Sequence, residues 1–131
     1  MSWLLDTNIC IALLAQKDAV LRKTYLGHAP SDLLLCSVVK AELIFGARNS
    51  DRVELNMKRL EHFWAPLESL SFDDLAASHY GEIRAILKRA GTPIGGNDLQ
   101  IAAIARANNL TLVTRNQDEF RRVVGLRVEA W

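Results

Sequence analysis

Acidic residues in apolar surroundings are the positions of this sequence best suited to chemistry. Asp6 directly follows the apolar run Trp3-Leu4-Leu5 in the opening MSWLLDTN. Glu42 and Asp98 lie in segments whose residues one helical turn away are mostly apolar. A lone buried carboxylate costs several kcal/mol unless it is paired, hydrogen-bonded or bound to a metal ion. These three positions therefore indicate metal-ion chemistry.

A third acidic stretch follows a β-branched run. Residues 110–114 (LTLVT) are typical of a strand, and Arg115-Asn116-Gln117-Asp118-Glu119 comes directly after them. Parallel strands share one carboxyl edge, so this stretch and Asp6 are expected on the same side of the sheet. The alternative is that Asp118 and Glu119 are ordinary solvated charges.

Several carboxylates that meet without basic partners repel one another, and a divalent cation relieves that repulsion. All-oxygen ligands favour the hard ions Mg²⁺ and Mn²⁺ over Zn²⁺. The three histidines (His28, His62 and His79) have no ligand spacing, which argues against a zinc site. A carboxylate-held pair of ions about 4 Å apart is a recurring solution for phosphodiester hydrolysis. Hydrolysis of this kind is the predicted chemistry.

Each acid also has a purely structural explanation. Glu42 reaches solvent if it lies at the edge of its helix, and Asp98 serves as a cap if it begins the helix that follows it. Gly95-Gly96 permits close backbone approach, but the Lys-Ser/Thr of a P-loop is missing. The residues themselves leave these alternatives open.

The elements that must position the acids alternate between strands and helices. Strands are predicted at residues 3–5, 33–36, 67–72 and 110–114, with an edge strand at 126–131. Helices are predicted at residues 8–15, 19–26, 38–48, 52–63, 73–90 and 99–108, with a turn or short helix at 116–120. The expected helix caps are Ser37, Ser50 or Asp51, Asp73-Asp74 and Asn97-Asp98. This alternation predicts one α/β domain over residues 1–131, with a central parallel sheet of four or five strands flanked by helices.

Composition excludes several classes of protein. Half of the 131 residues are hydrophobic and 24% are charged, which argues against disorder. A net charge of +1 excludes bulk electrostatic binding of nucleic acid, so any such binding needs a local patch. Cys10 and Cys36 lie in apolar runs without C-x-x-C spacing and are interpreted as reduced core residues of a cytoplasmic protein. No signal peptide or membrane span is predicted.

Five segments resemble the PIN-domain family and, within it, the VapC-type toxins of bacterial toxin–antitoxin pairs. They are LLDTN at residues 4–8, SVVKAELIFGA at 37–47, PIGGNDLQIAA at 93–103, LVTRNQDEF at 112–120 and GLRVEAW at 125–131. Each motif is modest alone. All five occur in family order and span nearly the whole chain, which makes the resemblance specific.

The resemblance implies a PIN fold and an endoribonuclease that depends on Mg²⁺ or Mn²⁺. Asp6, Glu42 and Asp98 fall on three acidic positions of the family, as catalytic and metal-binding residues. The family places its fourth acid either where Asn116 stands or where Glu119 stands. Glu119 is the expected ligand, with Asn116 as a direct ligand or a phosphate contact, and Asp118 is the weakest candidate.

Two neighbours of Asp6 also match the family. Thr7 and Asn8 are expected to cap the first helix and to orient Asp6. Lys40, Arg48 and Arg115 are candidates for RNA contact, against the alternative that each is a solvated charge.

The resemblance further implies a substrate and partners. A tRNA cut in its anticodon loop is the first expectation for the substrate. A homodimer, an antitoxin peptide laid over the active-site groove along residues 38–63, and a larger toxin–antitoxin assembly are the implied partners. Periodicity of the sequence shows none of these.

Three other functions compete with this interpretation. A haloacid-dehalogenase-like phosphatase needs Asp-x-Asp, and Asn8 occupies the second position here. A receiver-type phospho-acceptor module needs further acids beside Asp6 and a late lysine, for which Arg115 is a poor substitute. An inactive PIN-like scaffold that binds RNA or protein is the remaining alternative, and intact Asp6, Glu42 and Asp98 argue against it.

Overall fold

A central parallel sheet of five strands organises the molecule. The computed structural model describes all residues, Met1–Trp131. The strands are β1 (Trp3–Leu5), β2 (Leu33–Cys36), β3 (Glu68–Leu70), β4 (Thr111–Val113) and β5 (Arg127–Glu129). Their order across the sheet is β3-β2-β1-β4-β5, and every neighbouring pair is parallel. The predicted parallel α/β sheet is confirmed, with five strands.

Seven helices connect and cover the strands. They are α1 (Thr7–Ala15), α2 (Ala19–Leu26), α3 (Ser37–Arg48), α4 (Val53–Trp64), α5 (Asp74–Ala90), α6 (Gly96–Ala107) and α7 (Gln117–Phe120), with a 3₁₀ turn at Pro30–Asp32. No helix has the length and apolar character needed to cross a lipid bilayer.

Burial follows the position of each strand in the sheet. Leu4 and Leu5 of β1 are fully buried, and every residue of β2 and β4 is buried as well. The edge strands β3 and β5 are only partly buried and just three residues long. An edge strand has a hydrogen-bonding partner on one side only, so pairing extends over fewer residues than the predicted 67–72 and 126–131.

Helix α6 is the most buried helix. Five consecutive residues, Ile101 to Ala105, are almost fully buried, and α6 packs against α5. The alanines present little bulk, which allows this close approach. Cys10 and Cys36 are free thiols in the same core.

Three expected helix caps are wrong. The N-cap positions of α3, α4 and α6 are held by Cys36, Arg52 and Gly95. None of these residues makes a side-chain hydrogen bond to its helix. Ser37 is therefore the first residue of α3. The Ser50 hydroxyl bonds to the backbone oxygen of Ala47 instead of capping α4, and Asp51 likewise stands before the N-cap position.

The start of α6 changes the interpretation of Asp98. The helix begins at Gly96, and Gly95 O accepts its first hydrogen bond from Leu99 N at 2.9 Å. Asn97 and Asp98 thus lie inside the first turn and do not cap it. The expected cap at Asp73 is confirmed, since its side chain accepts a hydrogen bond from a backbone N–H of α5. The expected capping of α1 by Thr7 and Asn8 is wrong, because both lie inside its first turn and Asp6 is the residue that caps it.

From β1, the chain first adds β2 and β3 on one side of the sheet and later adds β4 and β5 on the other side of β1. The two halves meet between β1 and β4. In an open α/β sheet, the crevice at the carboxyl edge of such a reversal is the usual place for a ligand. Asp6 stands at the end of β1 and Thr114 follows β4, so both lie at this crevice.

Candidate active site

Asp6 is buried at the junction of β1 and α1. Its side chain is 3% exposed. Oδ1 accepts a hydrogen bond from Thr7 N at 2.8 Å, and Oδ2 accepts one from Thr114 Oγ1 at 2.7 Å. Burial raises the pKa of Asp6, while these two hydrogen bonds act in the opposite direction. The carboxylate is held rigidly, with one donor on each oxygen.

Thr114 is a site residue that the sequence did not single out. Leu5 pairs with Val113 in the sheet, and Asp6 N donates to Val113 O at 3.0 Å, which brings Thr114 beside Asp6. Its fully buried hydroxyl also accepts from Asn116 N at 3.0 Å. A hydroxyl directly after a strand next to β1 is the signal that would have found it, but this signal requires the strand order.

Glu119 lies on α7 and is oriented by two other elements. Oε1 accepts a hydrogen bond from Gly95 N at 3.1 Å, ahead of α6, and Oε2 accepts one from Asn116 Nδ2. Burial acts to raise the pKa of Glu119, but these hydrogen bonds and the nearby Arg122 lower it below its ordinary value. Glu119 is therefore a carboxylate prepared for a positive charge.

Asp98 faces Glu119 from the first turn of α6. Burial raises the pKa of Asp98 to about 7, with further contributions from Glu119, Asp6 and Glu42. Asp6, Glu42 and Glu119 therefore all lie near Asp98. A metal site shared by these four positions stays a prediction of the sequence.

Glu42 reaches the same region from α3. Its Oε1 is buried and has no hydrogen-bond partner, and the hydroxyl oxygen of Thr7 is in the same condition. Burial raises the pKa of Glu42; Thr7 lies near enough to lower it, and Asp6 raises it further. Two buried polar atoms without hydrogen-bond partners, one of them a carboxylate oxygen, fit the binding of a positively charged ligand.

The donor set fits a hard divalent cation. The four side chains offer carboxylate oxygens only, which suit Mg²⁺ or Mn²⁺. Neither of the two ion pairs in the chain involves them, so no lysine or arginine is paired directly with any of the four. In this structure no three of the acids come together closely enough to form a complete set of ligands.

Two other predicted site residues lie apart from these contacts. Asn8 is exposed and makes no hydrogen bond with Asp6, whereas the backbone N–H of Thr7 does. Asp118 is also exposed.

The three predicted RNA-contacting cations are dispersed. Lys40 lies over the ring of Trp64, with Nζ 4.8 Å from its centroid. Arg115 forms an ion pair with Asp18, the residue that caps α2. Arg48 is exposed in the last turn of α3. The structure does not gather them into one patch.

The PIN domain family matches residues 3–126 of the chain. The chain belongs to the PIN-domain family. This PIN domain is 41% identical over 131 residues to the tRNA(fMet)-specific endonuclease VapC of Shigella flexneri, covering 100% of the chain and 98% of that relative. It is 39% identical over 132 residues to ribonuclease VapC2 of Rickettsia felis, with the same coverage. The expected family is confirmed.

Solved structures agree with the fold of this PIN domain. The VapBC2 complex from Rickettsia felis, bound to a DNA fragment from its promoter, matches with a TM-score of 0.94 at 36% identity, covering 100% of this chain and 99% of that one. DNA-bound VapBC from Salmonella typhimurium matches with a TM-score of 0.94 at 40% identity, covering 100% and 98%. VapC nucleases with a PIN domain depend in general on a divalent metal ion.

Proposed function

We propose that this PIN domain is the toxin of a toxin–antitoxin pair and hydrolyses RNA as an endoribonuclease dependent on Mg²⁺ or Mn²⁺. Residues 1–131 form the single domain that carries the activity, and the cytoplasm is its location. The observation that carries the proposal is that Asp6, Glu42 and Glu119 all act on Asp98 at the carboxyl edge of the sheet, and that none of the four acids forms an ion pair. Full-length similarity to curated ribonucleases supports the same reaction.

The four acids would hold the metal ion. Bound there, it would supply positive charge for the scissile phosphate and lower the pKa of water for attack. Thr7 and Thr114 keep both oxygens of Asp6 in place, while Gly95 and Asn116 do the same for Glu119. Asp98, with a pKa of about 7, would release its proton on binding such an ion.

The fourth acid is Glu119, with Asn116 as its orienting residue. Asn116 bonds to Glu119 through its side chain and to Thr114 through its backbone N–H. It therefore connects Glu119 to Asp6 and need not bind the ion itself. Asp118 is exposed and takes no part.

The proposed substrate is a tRNA, cut in its anticodon loop. The Shigella flexneri relative and the 40% identical Salmonella typhimurium relative are both named tRNA(fMet)-specific endonucleases. Unstacked loop bases expose both the backbone and the base edges to a protein, which double-stranded stems do not. Lys40, Arg48 and Arg115 stay candidates for contacts outside the cleavage site.

The proposed partners are an antitoxin and a second copy of the chain. A groove of about 390 Å³ lies between α1, α3 and α4, lined mainly by apolar side chains with Glu42 at its wall. Ile11 and Phe45 on these helices are 52% and 70% exposed. An antitoxin peptide along residues 38–63 would cover them, as part of a larger assembly of toxin homodimer and antitoxin.

The test is cleavage of total tRNA by the purified chain with Mg²⁺ or Mn²⁺. Asp98→Asn should abolish cleavage, because the ion loses a ligand, whereas Asp118→Asn, the matched exposed control, should cut like the wild type. Chelation should stop cleavage and addition of the purified antitoxin should inhibit it. Normal cutting by Asp98→Asn would show that the site is misassigned. Absence of cutting by the wild type with either ion would favour the inactive scaffold.

A further inference from the structure

Arg122 is an arginine beside the four acids that has no part in the proposed ion site. It stands three residues after Glu119, near the end of α7, and its charge contributes to the lowered pKa of Glu119. Its Nη1 donates to the backbone oxygen of Pro93 at 3.2 Å, two residues before the Gly95 N–H that binds Glu119. The guanidinium is thus anchored at the rim of the acidic cluster.

Most of the hydrogen-bonding capacity of Arg122 is unused. A guanidinium has five N–H donors, and only the bond to Pro93 involves this one. Arg122 is exposed and lies outside the two ion pairs of the chain, so even Glu119 does not occupy it directly. Because Arg122 is exposed, its remaining donors are accessible to a ligand beside the acids.

We propose that Arg122 binds a phosphate of the RNA backbone next to the bond that is cut. The inference rests on the proposed function and names a substrate contact within it. Four acids in one place repel a polyanion, and an anchored arginine at their rim offsets that repulsion where the backbone enters. Arginine suits this role because its planar fork can bind a phosphate through two parallel hydrogen bonds.

The anchor distinguishes Arg122 from other cations near the site. Arg115 already neutralises Asp18, and Lys40 is stacked on Trp64. Arg121 is the neighbour of Arg122 and equally exposed, but its guanidinium bonds to Gln117 and not to the segment ahead of α6. Arg121 is therefore a matched control with the same charge and exposure, in the same turn after α7.

The test compares Arg122→Gln with Arg121→Gln. Binding of a tRNA(fMet) transcript is measured in EDTA, where no cleavage occurs, at several salt concentrations between about 50 and 200 mM. Arg122→Gln should weaken binding about tenfold at the lowest salt. It should also reduce the magnitude of the slope of log affinity against log salt concentration by about one, as for the loss of one phosphate contact. Arg121→Gln should change both much less, and Arg122→Lys should restore most of the slope.

The outcomes distinguish a failure of the phosphate contact from a failure of the proposed nuclease function. If the wild type binds and cuts the transcript while Arg122→Gln and Arg121→Gln behave alike, the phosphate contact is wrong and the nuclease proposal stands. If Arg122→Gln binds with the wild-type salt slope but cuts more slowly, Arg122 positions α7 and the phosphate contact is again wrong. If the wild type neither binds nor cuts the transcript, both proposals fail.

Discussion

At the scale of single residues, the hydroxyl of Thr114 is the clearest test of how Asp6 is held. Thr114→Val keeps the shape but removes the hydrogen bond to Asp6 and leaves a buried carboxylate oxygen without its donor. We expect the free energy of unfolding to fall by about 1–3 kcal/mol. Cleavage should fall by about ten- to a hundredfold, as for other residues that orient a metal ligand.

Thr111→Val is the control for this prediction. Thr111 is a buried threonine of β4, the strand that Thr114 directly follows, but its hydroxyl accepts from Arg127 on the β5 side. Denaturant unfolding and cleavage kinetics are measured on both variants. Equal losses of cleavage in the two would show that damage to β4, and not the loss of the Asp6 contact, is responsible.

The sequence singled out the acids as candidates but not the residues that hold them. Asp6, Glu42 and Asp98 stand out because carboxylates on apolar runs and faces are costly without a reason. A threonine at a strand end and an exposed arginine are common everywhere, so nothing marked Thr114 or Arg122. Both become significant only when the order β1-β4 and the path of residues 93–95 are known.

At the scale of elements, α7 shows how a very short helix can carry a site residue. Four residues form too few hydrogen bonds to be stable alone. Phe120, at its end, is fully buried in the core and anchors it. The position of Glu119 therefore depends on the packing of the adjacent ring.

Phe120→Ala should lower the free energy of unfolding by about 3–5 kcal/mol, because it leaves a cavity beneath α7. Phe120→Leu fills most of that space and should cost less. Cleavage measured on the fraction that stays folded should follow the same order, since Glu119 loses its anchor. Full cleavage by folded Phe120→Ala would contradict the dependence of Glu119 on this packing.

Element types were predictable from the sequence, and their ends were less so. Buried strands such as β2 match their apolar runs from first to last residue. The start of α6 was misplaced because Asn97 and Asp98 are good caps by type, while the structure begins the helix at Gly96. Where several polar residues follow one another, each can serve as a cap, and the direction from which the preceding segment reaches the helix decides between them.

At the scale of the whole molecule, the acids link stability to pH. The native state keeps a proton on Asp98 up to about pH 7, whereas the unfolded chain releases it near the ordinary value of 3.8. Between these values the native state binds more protons. The contribution of Asp98 to stability is therefore present at low pH and is lost as pH rises through about 7.

This linkage predicts opposite trends with and without metal. Without divalent ions, Asp98→Asn should become more stable relative to the wild type as pH rises from about 5 to 8. Mg²⁺ should raise the melting temperature of the wild type more at the higher pH, because the ion competes with the proton. Thermal unfolding at several pH values measures both. Parallel pH curves for the two proteins would contradict a raised pKa at Asp98.

One hydrogen-bonded path runs through the site, from Asp6 to Thr114, Asn116, Glu119 and Gly95. It joins three separate stretches of the chain, so a change at any link displaces ligands far from it in sequence. Mutations at many different positions can therefore inactivate a toxin built this way. Among cells that survive its induction, inactivating mutations should include the neutral links Thr114, Asn116 and Gly95 as well as the acids.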